Sequence, residues 1–194
     1  EEDVPEIAGE GCKVHHTELE RRGMNALKDS KLIASYAKLM KEIRPDVVLT
    51  YTIKPNIYGS LCARIRKIPY IVNITGLGSA FEEGGMLQKI VVFLYRLALK
   101  NASCVFFQNE RNREIFRGFS IRGKKERLVP GSGVNLDRHA IEEYPAKEEP
   151  VRFLFVGRIM KEKGIDEFLY AAEQIKKEYP EALFEIVGSY EDDY

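Results

Sequence analysis

Residues 151–166 have the sequence VRFLFVGRIMKEKGID, and the structural pattern changes within this stretch. The first part is a run of branched and aromatic apolar residues that ends at Gly157, which is typical of a buried strand. A short loop follows and carries Arg158 and Lys163 to Gly164, where a helical pattern begins. A strand that leads through such a loop into a helix is the repeating unit of a parallel sheet covered by helices. The stretch therefore predicts an α/β fold.

The same alternation of strand and helix patterns extends through the rest of the chain. Strand-like runs occupy residues 13–19, 46–52, 70–74, 104–108, 126–129, 151–157 and 183–187. Helical periodicity occupies residues 26–43, 55–67, 86–101, 110–118 and 165–179. Because the two patterns take turns along the sequence, we expect parallel sheets with helical crossovers.

An acidic, proline-containing connector interrupts the alternation at residues 138–150. It divides the chain into a partial N-terminal domain at residues 1–138, a linker at residues 139–150 and the start of a second domain at residues 151–194. The two strands and one helix after the linker are too few to bury a core of their own. We expect both domains to be incomplete, the first because no opening strand and helix precede its first strand-like run.

The composition is that of a soluble globular chain, with 44% hydrophobic and 31% charged residues. The net charge is zero but is unevenly distributed. Residues 11–141 contain 23 basic and 11 acidic residues, whereas residues 146–194 contain 7 basic and 12 acidic ones. The longer segment therefore favours an anionic partner, although we expect no nucleic acid.

Missing motifs exclude several classes of protein. The cysteines Cys12, Cys62 and Cys104 form no C-x-x-C pair, so neither a disulfide framework nor a zinc ribbon is expected. The sequence contains no G-x-S-x-G elbow and no Walker lysine loop, and we expect no metal site. The longest apolar stretch, at residues 86–99, is interrupted by two basic residues and is too short to span a bilayer.

The start of the chain and its cysteines indicate where the protein works. The chain begins with Glu-Glu-Asp and shows neither an initiating Met nor a signal peptide, so we expect it to be the middle of a longer polypeptide. Unpaired cysteines indicate a reducing compartment. The expected location is the cytoplasm.

Arg158 and Lys163 are the strongest candidates for binding an anion. Both follow the strand-like run at residues 151–157, and ligands of open α/β sheets bind at the carboxyl ends of strands. Two cations beside the free N–H groups of a helix suit a diphosphate, which arginine can bind through two hydrogen bonds. Solvated loop charges are the alternative.

A glycine-rich segment, Gly131-Ser132-Gly133, follows the strand-like run at residues 126–129. Its two glycines let the backbone approach a partner closely, and exposed N–H groups could cradle an anion. A simple hinge turn uses the same residues, and the spacing taken alone favours that turn.

Two further loops follow strand-like runs in the N-terminal part. The loop TGLGSAFEEGG begins at Thr75 and includes Gly76 and Gly78, but it lacks the G-x-G-x-x-G spacing of a dinucleotide site, which we exclude. The segment YTIKPNIYG at residues 51–59 carries Lys54 at a strand end, where the lysine could meet a phosphate. A capping turn with an exposed lysine is the alternative.

The helix predicted at residues 86–100 combines apolar and basic positions. Lys89, Arg96 and Lys100 lie seven and four positions apart on one stripe of this helix, which suits the surface of an anionic bilayer. The alternative is a helix buried against the sheet with its cations solvated. The side chains that would then pack on the sheet are Ile90, Val91, Leu94 and Leu97.

Taken together, six segments resemble the family 4 retaining glycosyltransferases of the GT-B fold, which build capsular and other bacterial surface polysaccharides. In chain order they are PDVVLT at residues 45–50, TIKPNIYG at 52–59, NITGLGSAF at 73–81, QNE at 108–110, PGSGV at 130–134 and the stretch from FVGR to KG at 155–164. They are spread over most of the chain, which makes the resemblance more specific than any single loop.

The resemblance implies two Rossmann-like domains with a cleft between them. The C-terminal domain would hold a nucleotide-sugar donor, usually a UDP-sugar, with Gly157 at the strand end and with Arg158 and Lys163 on the diphosphate. The turn at residues 131–133 would lie beside the donor and lead to the interdomain hinge. No metal cofactor is implied, because the cations would stabilise the leaving group.

The resemblance also implies an acceptor side on the N-terminal domain, formed by Lys54, Thr75, Gly76 and Gly78. The acceptor in this subgroup is commonly a sugar on a polyprenyl diphosphate, or otherwise a saccharide. Such an acceptor would account for the basic N-terminal domain. It would also give the helix at residues 86–100 a peripheral role on the inner face of the cell membrane.

The sequence departs from the family pattern in three places. It lacks the glycine-rich opening strand and loop and the E-x7-E segment whose glutamates hold the donor, and it has Asn73-Ile74-Thr75 where many relatives carry a His. We therefore predict a hexosyltransferase or similar enzyme as the full-length protein and an inactive 194-residue fragment. A non-catalytic GT-B subunit that binds an acceptor or a partner chain is the alternative. A GT-B epimerase fits less well, because residues 52–59 and 75–81 match the transferases better.

Overall fold

The computed structural model describes residues 8–19, 25–78, 81, 84–141, 143 and 150–190, apart from the side chain of residue 162. Most of the acidic connector and part of the loop that begins at Thr75 lie outside the described residues. The chain divides into two compact units, one ending at Val134 and the other beginning at Asn135.

Parallel strands and helices alternate in the first unit. Its elements are α1 (Ala26–Ile43), β1 (Val48–Tyr51), a π-helical turn (Pro55–Gly59), α2 (Ser60–Ile65), β2 (Tyr70–Ile74), α3 (Gly85–Leu99), β3 (Cys104–Phe107), α4 (Glu110–Gly118) and β4 (Glu126–Leu128). The strands form one sheet in the order β1-β2-β3-β4, and every pairing is parallel. Each connection is therefore a crossover, and the predicted α/β fold with a parallel sheet is confirmed.

One face of this sheet packs against helices and forms the core of the first unit. The almost completely buried strand residues on this face are Tyr70, Val72, Ile74, Val105 and Phe107. An aromatic cluster extends the core, with the Phe116 ring centroid 5.1 Å from that of Tyr95 and 5.4 Å from that of Phe81. Aromatic pairs at these distances stabilise a core beyond the area that they bury.

Local signals in the sequence set the ends of α1. The Asn25 side chain accepts hydrogen bonds from the N–H groups of Leu27 and Lys28, which caps the first turn. At the other end Arg44 adopts a left-handed conformation, and Pro45 follows it and cannot continue the helix. The predicted bounds of this helix, residues 26–43, are confirmed.

The helix predicted at residues 55–67 differs in its first turn. Pro55–Gly59 is a π-helical turn, and regular α-helix begins only at Ser60. The turn packs closely on β1, since a Cβ atom added at Gly59 would lie 3.2 Å from Cγ2 of Thr50. Periodicity could not predict this wider turn, because the spacing of apolar residues along one helix carries no information about the close contact between Gly59 and Thr50 of β1.

The strand predicted at residues 13–19 is wrong. Residues 13–19 are all described, and none of them is in a strand; all but Thr17 are exposed. A strand needs a neighbour for its backbone N–H and C=O groups, and no strand within the described ranges pairs with residues 13–19. The alternating composition alone could not supply that neighbour.

The second unit contains β5 (Arg152–Val156), a short 3-10 helix (Lys161–Lys163), α5 (Ile165–Glu178) and β6 (Leu183–Val187). The two strands pair in parallel. Phe168 of α5 packs on them, with its ring centroid 5.5 Å from that of Phe155 and 5.8 Å from that of Phe184. The buried apolar residues among those described in this unit are Met160, Ile165 and Ala182. The core is small, as two strands and one helix allow.

Candidate functional site

The loops at the carboxyl edge of the first sheet hold most of the candidate residues of the first unit. The segment after β1 contains Lys54, the loop after β2 begins at Thr75, and the turn after β4 is at residues 131–133. Carboxyl ends of parallel strands lie at the same edge of a sheet, which is where open α/β folds bind ligands. The fold therefore brings these segments to one edge, as the sequence predicted for each of them.

Lys54 forms a buried ion pair at this edge. Its Nζ atom lies 2.8 Å from Oδ1 of Asp29 in α1, and the two side chains are only 12% and 9% exposed. The Tyr58 hydroxyl donates a hydrogen bond of 3.1 Å to Oδ2 of the same carboxylate. Burial, followed by the negative charge of Asp29 and this hydrogen bond, raises the pKa of Tyr58 to about 12. Lys54 is therefore not the exposed lysine of a capping turn, because its charge is buried beside Asp29.

Thr52, at the end of β1, has a strained backbone. Its φ angle is +65°, in the left-handed region that a β-branched residue rarely adopts, and such a conformation costs about 1–3 kcal/mol. The carbonyl of Thr52 accepts a hydrogen bond of 3.0 Å from the N–H of Asn56, inside the π-helical turn. Strained residues and π-helical turns both occur frequently at functional sites.

The loops after β1 and β2 contact each other through Ile53 and Gly78. Gly78 has a φ angle of +71°, and a Cβ atom added there would lie 2.5 Å from Cδ1 of Ile53. Only glycine therefore allows the second loop to approach the first so closely. Thr75 and Gly76 are exposed beside this contact. The structure thus brings the predicted acceptor-side residues Lys54 and Gly78 together through a residue that the sequence did not single out.

The turn after β4 is joined to the end of β3. Gln108 Nε2 donates a hydrogen bond of 3.1 Å to Oγ of Ser132. Gly131 and Gly133 have φ angles of +76° and +79°, which explains the two glycines. The N–H of Gly131 donates to the carbonyl of Val129 at 2.8 Å, so this group closes the turn. Of the three predicted residues, Ser132 and Gly133 are exposed.

The strand end of the second unit displays Arg158 and Lys163, and both side chains are exposed. Gly157 comes directly after β5, and its N–H donates to the carbonyl of Val187 at 3.0 Å. A Cβ atom added at Gly188 would lie 1.8 Å from the Gly157 carbonyl oxygen, so the two strand ends approach closely. This approach fixes the backbone from which Arg158 projects.

The helix that follows supplies both an N-terminus and negative charge. Gly164 adopts a φ angle of +80° at the N-terminus of α5, so its conformation requires glycine. Asp166 and Glu167 occupy the first turn, where they interact favourably with the helix dipole. Neither acid stands out in the sequence as a neighbour of the two cations. Their position close to Lys163 in the chain was the signal that could have indicated that they lie near the two cations.

The outer face of α3 is apolar and basic. Val91, Val92 and Tyr95 are on the buried face. The exposed apolar stripe consists of Met86, Ile90, Phe93 and Leu97, and we call it the outer stripe of α3. Lys89, Arg96 and Lys100 are exposed as well, and Nε of Arg96 donates to the carbonyl of Phe119 at 2.8 Å. Val91 is buried and Leu94 packs against the core, as the core alternative required, whereas Ile90 and Leu97 are exposed.

Among the described residues there is neither a metal-binding cluster nor a membrane-spanning helix. No group of three or more His, Cys, Asp or Glu side chains there is placed to hold a metal ion. No helix in those ranges is both long and apolar enough to cross a bilayer.

Two curated proteins are similar to the chain over most of its length. An N,N'-diacetylbacillosaminyl-diphospho-undecaprenol α-1,3-N-acetylgalactosaminyltransferase of Campylobacter jejuni is 29% identical over 195 residues, which cover 92% of this chain and 51% of that protein. A UDP-Gal:α-D-GlcNAc-diphosphoundecaprenol α-1,3-galactosyltransferase of Escherichia coli is 30% identical over 183 residues, which cover 86% of this chain and 46% of that protein. The chain thus spans about half the length of these relatives.

Solved structures show the same fold at low sequence identity. Anabaena Alr3699/HepE, solved in complex with UDP and glucose, has a TM-score of 0.63 at 16% identity and covers 89% of this chain and 47% of its own. Staphylococcus aureus MnaA, solved with UDP, has a TM-score of 0.56 at 14% identity, with 88% and 48% covered. These neighbours confirm the predicted GT-B fold class.

Two family descriptions match consecutive parts of the chain. "Glycosyl transferases group 1" matches residues 137–194. "Glycosyl transferase 4-like" matches residues 1–109, which is more than half of the chain. The chain therefore belongs to the glycosyl transferase 4-like family, with a group 1 glycosyl transferase segment after it.

Proposed function

We propose that the full-length protein transfers a sugar from a nucleotide sugar to a lipid-linked acceptor during synthesis of a bacterial surface polysaccharide such as a capsule. The observation that carries this proposal is the similarity to two transferases whose names both specify an undecaprenol diphosphate acceptor. The chain spans about half of each relative, so the activity belongs to the proposal for the whole protein. The 194-residue chain alone is expected to be inactive.

The proposed donor is a UDP-sugar bound at the second unit. Arg158 and Lys163 are exposed at the carboxyl end of β5, where a diphosphate would meet two positive charges and the N-terminus of α5. Asp166 and Glu167 in the first turn of α5 oppose the binding of any anion there. The two cations must therefore contribute directly, and in transfer they would stabilise the diphosphate leaving group without a metal.

The proposed acceptor side is the carboxyl edge of the first sheet. Thr75 and Gly76 are exposed there and can contact an acceptor, whereas Lys54 is paired and Gly78 packs on Ile53. We assign direct contact to the first two residues and a supporting role to the other two. The four residues that the resemblance groups together therefore have two different proposed roles.

A peripheral position on the inner face of the cell membrane completes the proposal. The outer stripe of α3 exposes Met86 and Phe93 by 72% and 62%, beside the exposed cations Lys89 and Lys100. Apolar side chains flanked by lysines suit the boundary between the headgroups and acyl chains of an anionic leaflet. Such contact would place the enzyme on the surface that carries a lipid-linked acceptor.

An activity assay on the full-length protein tests the proposal. A set of UDP-sugars is offered with an undecaprenyl diphosphate-linked monosaccharide, and the anomeric configuration of the product is determined by NMR. We expect one donor to give a product that retains the configuration of the donor. Binding of the acceptor without turnover for any donor would instead support a non-catalytic subunit, and an inverted product would contradict retention.

A further inference from the structure

We propose that Asp29, Lys54 and Tyr58 form a positioning network that holds the loop after β2 in place through Ile53 and Gly78. The inference rests on the proposed function in one respect, because that function makes the loop after β2 part of the acceptor side. The support that these segments of the first unit give one another is independent of any activity.

Both oxygens of the Asp29 carboxylate are used in this network. Oδ1 contacts the Lys54 ammonium group at 2.8 Å, and Oδ2 accepts the Tyr58 hydroxyl at 3.1 Å. The partners are 25 and 29 positions away in sequence, so the network ties the first turn of α1 to the segment that follows β1. Asp29 lies in the first turn of α1, where a negative charge interacts favourably with the helix dipole.

The burial of this network argues against a direct role of Lys54 in binding. Both side chains of the pair are nearly buried, and a lysine that moved out to a phosphate would leave the Asp29 charge unpaired. A buried ion pair is often no more stabilising than apolar residues of the same size. Its presence is therefore better explained by the geometry that it imposes on the segment containing Lys54.

Ile53 connects the buried ion pair to the loop after β2. It stands between Lys54, which is fixed by Asp29, and Thr52, which is held at a positive φ angle. Gly78 lies so close to Cδ1 of Ile53 that any side chain at position 78 would have to displace it. The position of Ile53 thus limits where the loop beginning at Thr75 can lie.

Hydrogen exchange of the 194-residue chain tests the coupling with Asp29→Asn, which keeps the shape of the side chain but removes its charge. We expect amide exchange at residues 75–78 to become faster by on the order of tenfold. The reason is that the loop can then open without disrupting an intact Asp29 network. Glu42→Gln is the matched control on the same helix, since its pair with Lys38 is exposed and 4.0 Å long. We expect no change at residues 75–78 in that control.

Two further variants separate coupling from general loss of structure. Ile53→Ala leaves the ion pair intact, so it should speed exchange at residues 75–78 without affecting the first turn of α1. Tyr58→Phe removes one hydrogen bond and keeps the charge pair, so it should have a smaller effect than Asp29→Asn. Faster exchange in α1 and residues 52–58 with no change at residues 75–78 in Asp29→Asn would overturn the proposal, as would an unaffected loop in Ile53→Ala.

Kinetics of the full-length enzyme test the positioning role. In Asp29→Asn we expect KM for the lipid-linked acceptor to rise on the order of tenfold while KM for the donor stays within about twofold, because the proposed diphosphate contacts Arg158 and Lys163 lie in the second unit. Equal changes in both constants would contradict positioning of the acceptor loop. If no transfer is detected even in the wild type, the proposed function fails, whereas the exchange experiment still decides the coupling.

Discussion

The strand ends of the two units differ in what surrounds their positive charges. In the first unit, Lys54 is nearly buried and contacts Asp29 at 2.8 Å. In the second unit, Arg158 and Lys163 are exposed on the segment between β5 and α5. Removing a partner from a buried pair leaves an uncompensated charge, whereas an exposed cation can be replaced at little cost to folding. Basic residues after a strand are therefore buried and paired in the first unit and exposed in the second, where we propose that they bind the donor.

The largest expected effect concerns the exposed pair. Arg158→Ala/Lys163→Ala should weaken UDP binding to the full-length protein at least about a hundredfold, because each charge-assisted contact contributes about 1.5–3 kcal/mol. Isothermal titration calorimetry measures the affinity. Lys176→Ala/Lys177→Ala removes the same charge from the other end of α5 and should leave the affinity nearly unchanged. Equal UDP affinity in the wild type and the first double variant would refute the donor assignment.

The second effect concerns the stability of the two strand ends. Lys54→Met should lower the free energy of unfolding by about 3 kcal/mol, because it leaves the Asp29 carboxylate buried without its cation. Lys163→Met should change it by less than about 0.5 kcal/mol, as expected for an exposed residue. Urea unfolding of the 194-residue chain, followed by circular dichroism, measures both. Similar values for the two variants would remove the distinction between the strand ends.

The third effect is a loss of stability at high pH. The pKa of Tyr58 is raised from 10.0 to about 12, so the folded chain keeps the phenol neutral where the unfolded chain ionises it. The stabilisation that results from this difference in pKa is complete below pH 10 and is lost as the pH rises to about 12. It should amount to about 2 kcal/mol. The difference in unfolding free energy between the wild type and Tyr58→Phe, measured from pH 9 to pH 12, should shrink by that amount, and a constant difference would contradict it.

The smallest effect concerns Lys89 and Lys100, which are exposed cations of the first unit and take no part in the ion pair of Lys54. Lys89→Gln/Lys100→Gln should weaken binding of the full-length protein to anionic vesicles about thirtyfold, since each basic residue near the surface contributes about 1 kcal/mol. Co-sedimentation measures the binding. Lys38→Gln/Lys41→Gln removes two cations from α1 and should have little effect. The membrane role of α3 is wrong if the two double variants bind equally or if the wild type does not bind.

Elements that depend on local pattern could be predicted from the sequence. The bounds of α1 follow from its capping Asn25, its apolar spacing and the proline after Arg44. Residues 13–19 could not be assigned from pattern, because a strand exists only where a neighbour accepts its hydrogen bonds. Sequence patterns therefore predict helices more completely than strands in this chain.

The candidate site was only partly visible in the sequence. Lys54 and Gly78 stand out as a cation and a glycine in strand-end loops, which is a local signal. Asp29 does not stand out, because acidic residues in the first turn of a helix are common and need no distant partner. Its contact with Lys54 joins segments 25 positions apart, and only the folded chain reveals it. The outer stripe of α3 was likewise ambiguous, since spacing does not say which side of a helix faces the sheet.

The strand order of the first sheet has a consequence for how the chain folds during synthesis. Each strand pairs with the strand that follows it in sequence, from β1 to β4. Among the described strands of this sheet, each of β2, β3 and β4 can therefore pair with the strand made just before it as soon as it is synthesised. These four strands can assemble one at a time in the direction of translation.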